Sequence, residues 1–260
     1  MISCEDMIKI AIRSGCIVLE NGGETYRTEE TIVHIAKALG AKTASAFVTP
    51  TVIMFSYTDD DDHYHSAIKR VTKSSVNLQK VSQVNNLARR LERRKITSNP
   101  KQVEALLERI EKAPKNPNWL ICLGASLNSF CFAFMFGGKI IEAIFAFIIG
   151  LLLRISLIGI GKFSLNSFVT SIFAGAFIAL LATPLQFLSP IISVEISTFI
   201  VMIATLMQVV PGLSIVNGIR DIISGDLVSG TARIMDAFMT AAGLSTGAVV
   251  VFMFFAKVVG

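Results

Sequence analysis

Residues 116–138 read NPNWLICLGASLNSFCFAFMFGG and contain no charged side chain over 23 positions. A helix of about 20 apolar residues is long enough to cross the hydrocarbon core of a bilayer. Trp119 stands near the start of the run, where an amphipathic ring favours the depth of the lipid headgroups. The stretch therefore predicts a first transmembrane helix at about 119–138.

Four more apolar runs follow along the chain. Glu142 lies near one end of the second run, and Arg154 lies within it. Residues 163–194 form an uncharged stretch that is too long for a single helix, and Pro184 and Pro190 divide it into a third run and the start of a fourth. The last run follows Asp236 and has 20 uncharged residues. We therefore predict five spans, at about 119–138, 140–160, 164–183, 190–210 and 234–257.

Charged residues are concentrated before these runs. Residues 1–118 carry 18 of the 24 Lys/Arg residues and 14 of the 19 Asp/Glu residues. A segment as poor in charge as the remainder needs lipid as its solvent, whereas the first part has the composition of a globular domain. The predicted fold class is a membrane all-α bundle of five transmembrane helices preceded by a small α+β cytoplasmic domain, with residues 1–115 and 116–260 as the two domains.

The distribution of basic residues predicts the orientation. The acidic start of the chain lacks the basic residues of a secretory leader, so we expect the N-terminal domain in the cytoplasm. Five spans would then place Gly260 outside. Basic residues beside the spans then favour the inside by seven to two. The seven are Lys101, Arg109, Lys112, Lys115, Lys162, Arg220 and Arg233, and the two are Lys139 and Lys257. The net charge of +5 is attributed to anionic lipid headgroups and not to nucleic acid, because no nucleic-acid motif accompanies it.

The N-terminal domain is predicted to combine four helices with a small hairpin sheet. The β-branched and aromatic run 44–57 predicts a strand in which Pro50 limits pairing to an edge or a bulge, and Asp59–Asp62 predicts a turn before a returning strand over 63–72. The spacing of apolar residues predicts helices over 6–20, 25–39, 78–95 and 100–112.

A break follows the fourth predicted span. Pro211 and Gly212 end the helix, and residues 213–224 are too few to cross the membrane again. Broken apolar helices beside charge are how many transporters build substrate sites. The alternative is a surface helix in a cytoplasmic loop, with Arg220 paired to Asp221 or Asp226.

Polar residues around this break and in the spans are the candidate functional site. In the second span, Arg154 either binds a substrate carboxylate or extends its guanidinium to the headgroups. In the fourth span, Glu195 is either a proton carrier or an exposed residue of the interface. The predicted substrate-binding or coupling residues are Arg154, Glu195, Asn217, Arg220, Asp221 and Asp226. The predicted structural motif comprises Pro211, Gly212 and Gly225.

Two other kinds of site receive less support. A hydrolase site built from Glu24, Arg27, Glu29, His34 and Thr49 would lack a nucleophile elbow and a Ser/His/Asp arrangement. The run Asp59–Asp62, His63 and His65 is interpreted as a solvated acidic turn, because its ligand atoms have no fixed spacing on a rigid element. We therefore predict no enzyme, no metal and no cofactor.

Several motifs together resemble those of the threonine/serine exporter (ThrE) family, in the same order along the chain. Any one of them is weak, and the combination is specific. They are ENGGETYRTEET at 20–31, FVTPT at 47–51, VPG at 210–212, NGIRD at 217–221, GD at 225–226 and SG at 229–230.

The resemblance implies a function and a partner. Fused members of the family have ten spans and export threonine and serine by proton coupling, whereas split members pair a chain of this length with a small multi-span membrane subunit and are proposed to export succinate. This chain looks like the larger split subunit. We therefore expect an exporter of small carboxylates or amino acids in the bacterial inner membrane, with membrane lipid and a second subunit as partners. Close packing of Gly243 and Gly247 also allows a homo-oligomer. The alternative is a membrane-anchored enzyme or sensor.

Overall fold

The computed structural model describes residues 3–73, 75–94, 99–114, 116–163, 165–188 and 195–259. The described chain is mostly helical and includes a three-stranded sheet. By packing it divides into two compact units. The N-terminal unit comprises Met1–Pro114 and Leu213–Ile234, and the membrane unit comprises Lys115–Gly212 and Met235–Gly260.

The first part of the N-terminal unit has two helices, a sheet and two further helices. Their bounds are α1 Cys4–Glu20, α2 Thr25–Ala38, β1 Thr43–Thr49, β2 Val52–Thr58, β3 Tyr64–Arg70, α3 Leu78–Arg94 and α4 Pro100–Glu111. Ile10, Ile35 and Phe55 are almost inaccessible in the apolar core that these elements share. Burying a side chain of this size contributes roughly 1.5–3 kcal/mol. The four helices and the small sheet predicted for this part of the chain are confirmed.

The sheet is antiparallel, in the order β1-β2-β3. Thr49 pairs with Val52, so Pro50 and Thr51 form a two-residue turn between two strands. The prediction of one strand over 44–57 is therefore wrong. Proline has a fixed φ and no N–H to donate, and it occupies a turn more easily than a paired position.

The remaining elements are mostly apolar helices. They are α5 Asn118–Met135, α6 Ile140–Ile160, a short 3-10 helix Gly161–Phe163, α7 Ser167–Ala182, α8 Leu185–Leu188, α9 Thr198–Leu206, α10 Gly212–Ile223 and α11 Leu227–Val259. Among the described residues, four helices are long and apolar enough to span a membrane. These are Asn118–Met135, Ile140–Phe163, Ser167–Phe187 and Leu227–Lys257.

The four helices correspond to the first, second, third and fifth predicted spans. The beginning of the predicted fourth span, residues 190–194, lies outside the described residues. The described part of that run contains α9, which has 9 residues. The described chain therefore supports a multi-pass helical membrane protein with four candidate spans, and the fifth stays a prediction.

The packing of residues 213–234 differs from the division that we predicted from composition. That division placed every residue after 115 with the membrane helices, whereas α10 and the start of α11 pack with the N-terminal unit. Composition could not predict this packing, because the contacts join segments almost two hundred residues apart.

Small residues bring α7 and α11 together within the membrane unit. A methyl group added at Gly247 would lie 2.7 Å from the backbone nitrogen of Ala176, and one added at Gly243 would lie 2.9 Å from the side chain of Ser171. Helices in lipid associate largely through such close packing. Gly243 and Gly247 are thus used for contacts inside the chain, and the homo-oligomer stays a prediction.

Candidate functional site

The loop between α1 and α2 presents backbone carbonyl groups to the last segment of the N-terminal unit. Gly22 has a φ of +88°, a conformation that glycine adopts without strain. Its carbonyl oxygen accepts a hydrogen bond of 3.1 Å from the Asn217 side-chain amide. The neighbouring carbonyl oxygen of Gly23 accepts one of 2.9 Å from Arg233 Nη2. Two segments at opposite ends of the sequence therefore meet at this loop.

A tight helical hairpin carries Asn217 and Arg233. The turn between α10 and α11 includes Gly225, whose φ is +94°. A methyl group added at Gly230 would lie 2.6 Å from the carbonyl oxygen of Gly218, so the two backbones are in close contact. Ser229, beside this contact, donates a 3.2 Å hydrogen bond to the carbonyl oxygen of Val48 at the end of β1. The hairpin is thereby held to both the α1–α2 loop and the sheet.

An ion pair is buried inside the hairpin. Asp221 is inaccessible to solvent, the Arg233 side chain is 12% exposed, and Arg233 Nε lies 3.1 Å from Asp221 Oδ2. Neither carboxylate oxygen of Asp221 has an aligned hydrogen bond among the described residues. The attraction between the two charges is therefore the main compensation for their burial. Arg233 thus links α10, α11 and the α1–α2 loop.

A second ionic cluster surrounds Glu24, at the start of α2. The Glu24 side chain is 9% exposed and contacts two guanidinium groups. Arg27 Nε lies 2.7 Å from Glu24 Oε2, and Arg220 Nη1 pairs with Glu24 Oε1. Arg220 and Asp221 are adjacent on α10, and their side chains diverge by about 100°. They consequently have different partners, Glu24 for Arg220 and Arg233 for Asp221.

A cavity of about 80 Å³ opens beside these contacts. It is small compared with the roughly 300–1,000 Å³ of pockets for drug-sized ligands, so it suits a small solute. Leu19, Gly22, Pro50 and Leu213 form part of its wall. The polar lining residues are Lys73, Ser75, Ser214, Asn217 and Arg233. Two cationic side chains together with hydrogen-bonding groups can bind a carboxylate.

A half-buried carboxyl group lies on the sheet side of the hairpin. Glu29 Oε1 accepts a 2.8 Å hydrogen bond from the backbone N–H of Val48. Burial raises the pKa of Glu29; the hydrogen bond from Val48 opposes the rise, and the charges of Asp226 and Asp221 add to it. The acidic groups of three family-like motifs, at 20–31, 217–221 and 225–226, therefore influence one another electrostatically.

The structure divides the six predicted functional residues between the two units. Asn217, Arg220, Asp221 and Asp226 belong to the N-terminal unit. Of these, only Asn217 lines the cavity.

Arg154 and Glu195 belong to the membrane unit. Arg154 Nε is buried on α6 without a hydrogen-bond partner among the described residues. Glu195 is exposed ahead of α9. Carboxylate binding by Arg154 and proton transfer by Glu195 stay predictions.

The predicted structural residues occupy breaks between helices. Pro211 precedes α10, Gly212 is its first residue, and Gly225 lies in the turn before α11.

Sequence reasoning missed two cationic residues of the cavity. Arg233 entered only as a basic residue beside a span, and Lys73 was not considered. Their proximity arises from tertiary contacts, so no spacing along the chain indicates it. The helical spacing of Glu24 and Arg27 is a local signal, and it predicts their i,i+3 ion pair.

A buried carboxylate in the membrane unit was also missed as a candidate. Glu142 is 3% exposed at the start of α6. Its oxygens accept hydrogen bonds from the backbone nitrogens of Lys139, at 2.9 Å, and Ser197, at 3.1 Å. Glu142 thereby joins the N-terminal ends of α6 and α9, where the partial positive charge of helix termini favours a carboxylate.

The residues considered for a hydrolase do not converge. Glu29 accepts a hydrogen bond from Val48, whereas His34 Nδ1 lies 2.9 Å from Glu92 Oε2 on α3. Glu24 is paired with arginines. A catalytic triad needs its members in one hydrogen-bonded series, and these side chains are engaged separately.

Comparison with known proteins agrees with the motif pattern. A sequence model of the ThrE family, described as "Putative threonine/serine exporter", matches residues 9–255. The chain is 24% identical over 228 residues to the "Probable succinate transporter subunit YjjP" of Klebsiella aerogenes, covering 86% of this chain and 84% of that protein. It is 23% identical over 233 residues to the Escherichia coli K12 protein of the same description, covering 86% and 85%.

A longer relative matches over part of its length. The "Threonine/serine exporter" of Corynebacterium glutamicum is 23% identical over 245 residues, which are 93% of this chain and 50% of that protein. No solved structure matches the chain. Because the family model covers nearly all of the sequence, the protein belongs to the ThrE family of exporters.

Proposed function

We propose that the chain is the larger subunit of a proton-coupled secondary exporter of small carboxylates or amino acids, such as succinate, threonine or serine. The observation that carries this proposal is the cationic cavity of the N-terminal unit. Three family-like motifs contribute to it, through Gly22, Pro50 and Asn217. A cavity of this size and charge suits the small anionic or zwitterionic solutes that the relatives' descriptions name.

The cavity provides a binding geometry for a carboxylate. Arg233 Nε faces Asp221, and Nη2 donates to Gly23. A guanidinium has five N–H donors, so others are available for an anionic solute. The Lys73 ammonium adds a second charge on an exposed side chain. We infer that Arg233 orients the substrate carboxylate and that Lys73 attracts it.

The packing of residues 213–234 supports five spans. These residues belong to the same compact unit as the chain before residue 115, so both lie on one side of the membrane. An even number of crossings must then separate them. Three candidate spans occur in the described chain between α4 and α10, and the predicted fourth span at about 190–210 would complete the parity. We propose that this side is the cytoplasm, in the inner membrane, with residues 1–115 and 213–233 facing it.

Ionisable groups at membrane depth commonly mark substrate and proton pathways in transporters. Arg154 and Glu195 are our candidates for passing the substrate carboxylate and the coupled proton, respectively. A small multi-span membrane subunit is proposed as the partner, because two relatives are described as transporter subunits. Arg154→Gln should lower the efflux of succinate. Glu195→Gln should remove the dependence of succinate efflux on the proton gradient.

Efflux from proteoliposomes tests the proposal. The chain would be reconstituted with and without the small subunit, and efflux of labelled succinate, serine and threonine measured. We expect efflux only with both subunits. Lys73→Gln should slow succinate efflux about tenfold, because the loss of one charge-assisted contact is worth roughly 1.5 kcal/mol.

Lys69→Gln is the matched control. Lys69 is an exposed lysine on β3 that does not line the cavity, so its loss changes the net charge equally. Equal efflux by the two variants would exclude the cavity as the substrate site. Full efflux without the second subunit would contradict the proposed assembly.

A further inference from the structure

A cluster of three different ligand types lies at the edge of the N-terminal unit, apart from the cavity. Cys4 Sγ is 3.5 Å from His65 Nε2, and His65 Nε2 is 2.9 Å from Asp59 Oδ2. The three atoms all lie within 4.8 Å of one another. Cys4 is the first residue of α1, whereas Asp59 and His65 flank the β2–β3 turn. No sequence pattern joins Cys4 to the acidic turn, because Cys4 is 61 positions away from His65.

The surrounding structure orients both hairpin ligands. Asp59 Oδ1 accepts hydrogen bonds from the backbone nitrogens of Asp61, at 3.0 Å, and His63, at 2.9 Å. This arrangement leaves Oδ2 for the contact with His65. The His65 ring stacks on the buried Tyr57 ring, with centroids 4.9 Å apart and planes 24° apart. Supporting contacts of this kind are typical of metal ligands, whose orientation must be set before the ion binds.

The geometry argues against a Cys–His–Asp catalytic triad. In a triad, the nucleophile contacts one ring nitrogen of the histidine and the carboxylate contacts the other. Here both Cys4 and Asp59 approach the same nitrogen, Nε2. Sulfur, nitrogen and oxygen donors grouped in this way can instead coordinate one metal ion.

We propose that Cys4, Asp59 and His65 form a binding site for a divalent transition-metal ion, with Zn²⁺ as the preferred ion. A thiolate, an imidazole and a carboxylate are the ligands that Zn²⁺ takes in proteins. With Zn–S of about 2.3 Å and Zn–N of about 2.0 Å, tetrahedral coordination places sulfur and nitrogen about 3.5 Å apart. That separation equals the distance between Cys4 Sγ and His65 Nε2.

Metal binding requires only small changes at the other ligands. The 2.9 Å contact between His65 and Asp59 must open by about half an ångström, and the Cys4 thiol must lose its proton to solvent. Water or the exposed His63, whose Nδ1 is 3.5 Å from Asp59 Oδ2, would supply the fourth ligand. The ion would tie the beginning of α1 to the β2–β3 hairpin and stabilise both.

Titration of the full chain with Co²⁺ tests the site. The protein would be purified in detergent with its thiols reduced, and the near-ultraviolet thiolate-to-Co²⁺ absorption band measured. We expect one equivalent to bind, and Zn²⁺ to displace the Co²⁺ and abolish the band. Cys4→Ser should remove the band, and Asp59→Asn and His65→Gln should each weaken Co²⁺ binding at least about tenfold.

Two control variants separate this site from other thiols and imidazoles. Cys131→Ser removes an exposed cysteine of the membrane unit, and His34→Gln removes a partly exposed histidine of α2. Both should bind Co²⁺ as the unaltered chain does. A band that survives Cys4→Ser, a band that disappears in Cys131→Ser, or no band in the unaltered chain would each overturn the proposal. Cys4 is exposed, so its replacement should leave the elution profile in detergent unchanged.

Discussion

The two units stabilise buried carboxylates in different ways. In the N-terminal unit, Asp221 is paired with Arg233, and Glu24 is paired with Arg220 and Arg27. In the membrane unit, Glu142 is held by backbone N–H groups instead. All ion pairs found among the described residues belong to the N-terminal unit.

The difference follows from what each unit has to connect. The N-terminal unit joins segments from both ends of the sequence, and charged side chains make contacts between and within those segments. The membrane unit joins apolar helices that gain little from hydrophobic burial in lipid, so their contacts depend on small residues and on satisfied backbone groups. The comparison predicts that charge substitutions will affect the first unit most strongly and steric substitutions the second.

Removing the buried aspartate should have the largest effect. Asp221→Ala leaves the Arg233 charge buried without its partner, which should lower the free energy of unfolding of the N-terminal unit by about 3–5 kcal/mol. Hydrogen exchange followed by mass spectrometry should show lost protection over residues 213–234.

The double variant Asp221→Leu with Arg233→Met is the control for this prediction. It removes both charges, so it should retain more protection than Asp221→Ala alone. Unchanged protection in the single variant would mean that the ion pair does not hold α10 and α11 to the N-terminal unit.

Sequence patterns predicted the local structure more accurately than they predicted the tertiary contacts. The apolar run 116–138 contains α5, and the break at Pro184 follows α7, because local composition determines where a membrane helix can begin and end. Pro50 was assigned to one strand and lies in a turn, because composition does not distinguish one long strand from a hairpin of two.

The candidate site was predictable only in part. The polar face of α10 indicated Asn217, Arg220 and Asp221, because helical spacing separates polar from apolar residues. Their partners Gly22 and Glu24 are about two hundred positions away, and pairing over that distance leaves no periodic signal in one sequence.

Loss of the capped carboxylate should have the second-largest effect. Glu142→Ala leaves the backbone N–H groups of Lys139 and Ser197 without their acceptor, at an expected cost of about 2–3 kcal/mol. The temperature of unfolding in detergent, monitored by the fluorescence of Trp119, should fall accordingly. Glu142→Gln retains one carbonyl oxygen and should show a smaller decrease, and equal decreases would argue against the role of the hydrogen bonds.

A methyl group at the α7–α11 contact tests steric packing. Gly247→Ala places a carbon against the Ile172 carbonyl oxygen and 2.7 Å from the Ala176 backbone nitrogen, and overpacking of this kind costs at least about 1–3 kcal/mol. Gly124→Ala is matched, because Gly124 lies within α5 with no atom close to the added methyl group. Gly247→Ala should lower the unfolding temperature, and Gly124→Ala should leave it unchanged or raise it slightly. If both variants were equally stable, close packing of α7 on α11 would not contribute to the membrane unit.

The smallest effect is expected from Glu29, whose carboxyl group is half-buried. Burial raises its pKa in the folded protein above the ordinary glutamate value, so the folded state binds the proton more tightly than the unfolded state. The contribution of Glu29 to stability should therefore increase as pH falls from neutral through its raised pKa, and level off below the ordinary glutamate pKa.

Glu29→Gln keeps a carbonyl oxygen for the Val48 N–H and removes the charge that Asp226 and Asp221 repel. The variant should be slightly more stable than the unaltered chain at neutral pH and should lose that advantage in acid. Unfolding temperatures of the variant and of the unaltered chain, measured between pH 4 and pH 8, should converge at low pH. Parallel curves of unfolding temperature against pH would exclude Glu29 as a titrating group of the hairpin contact.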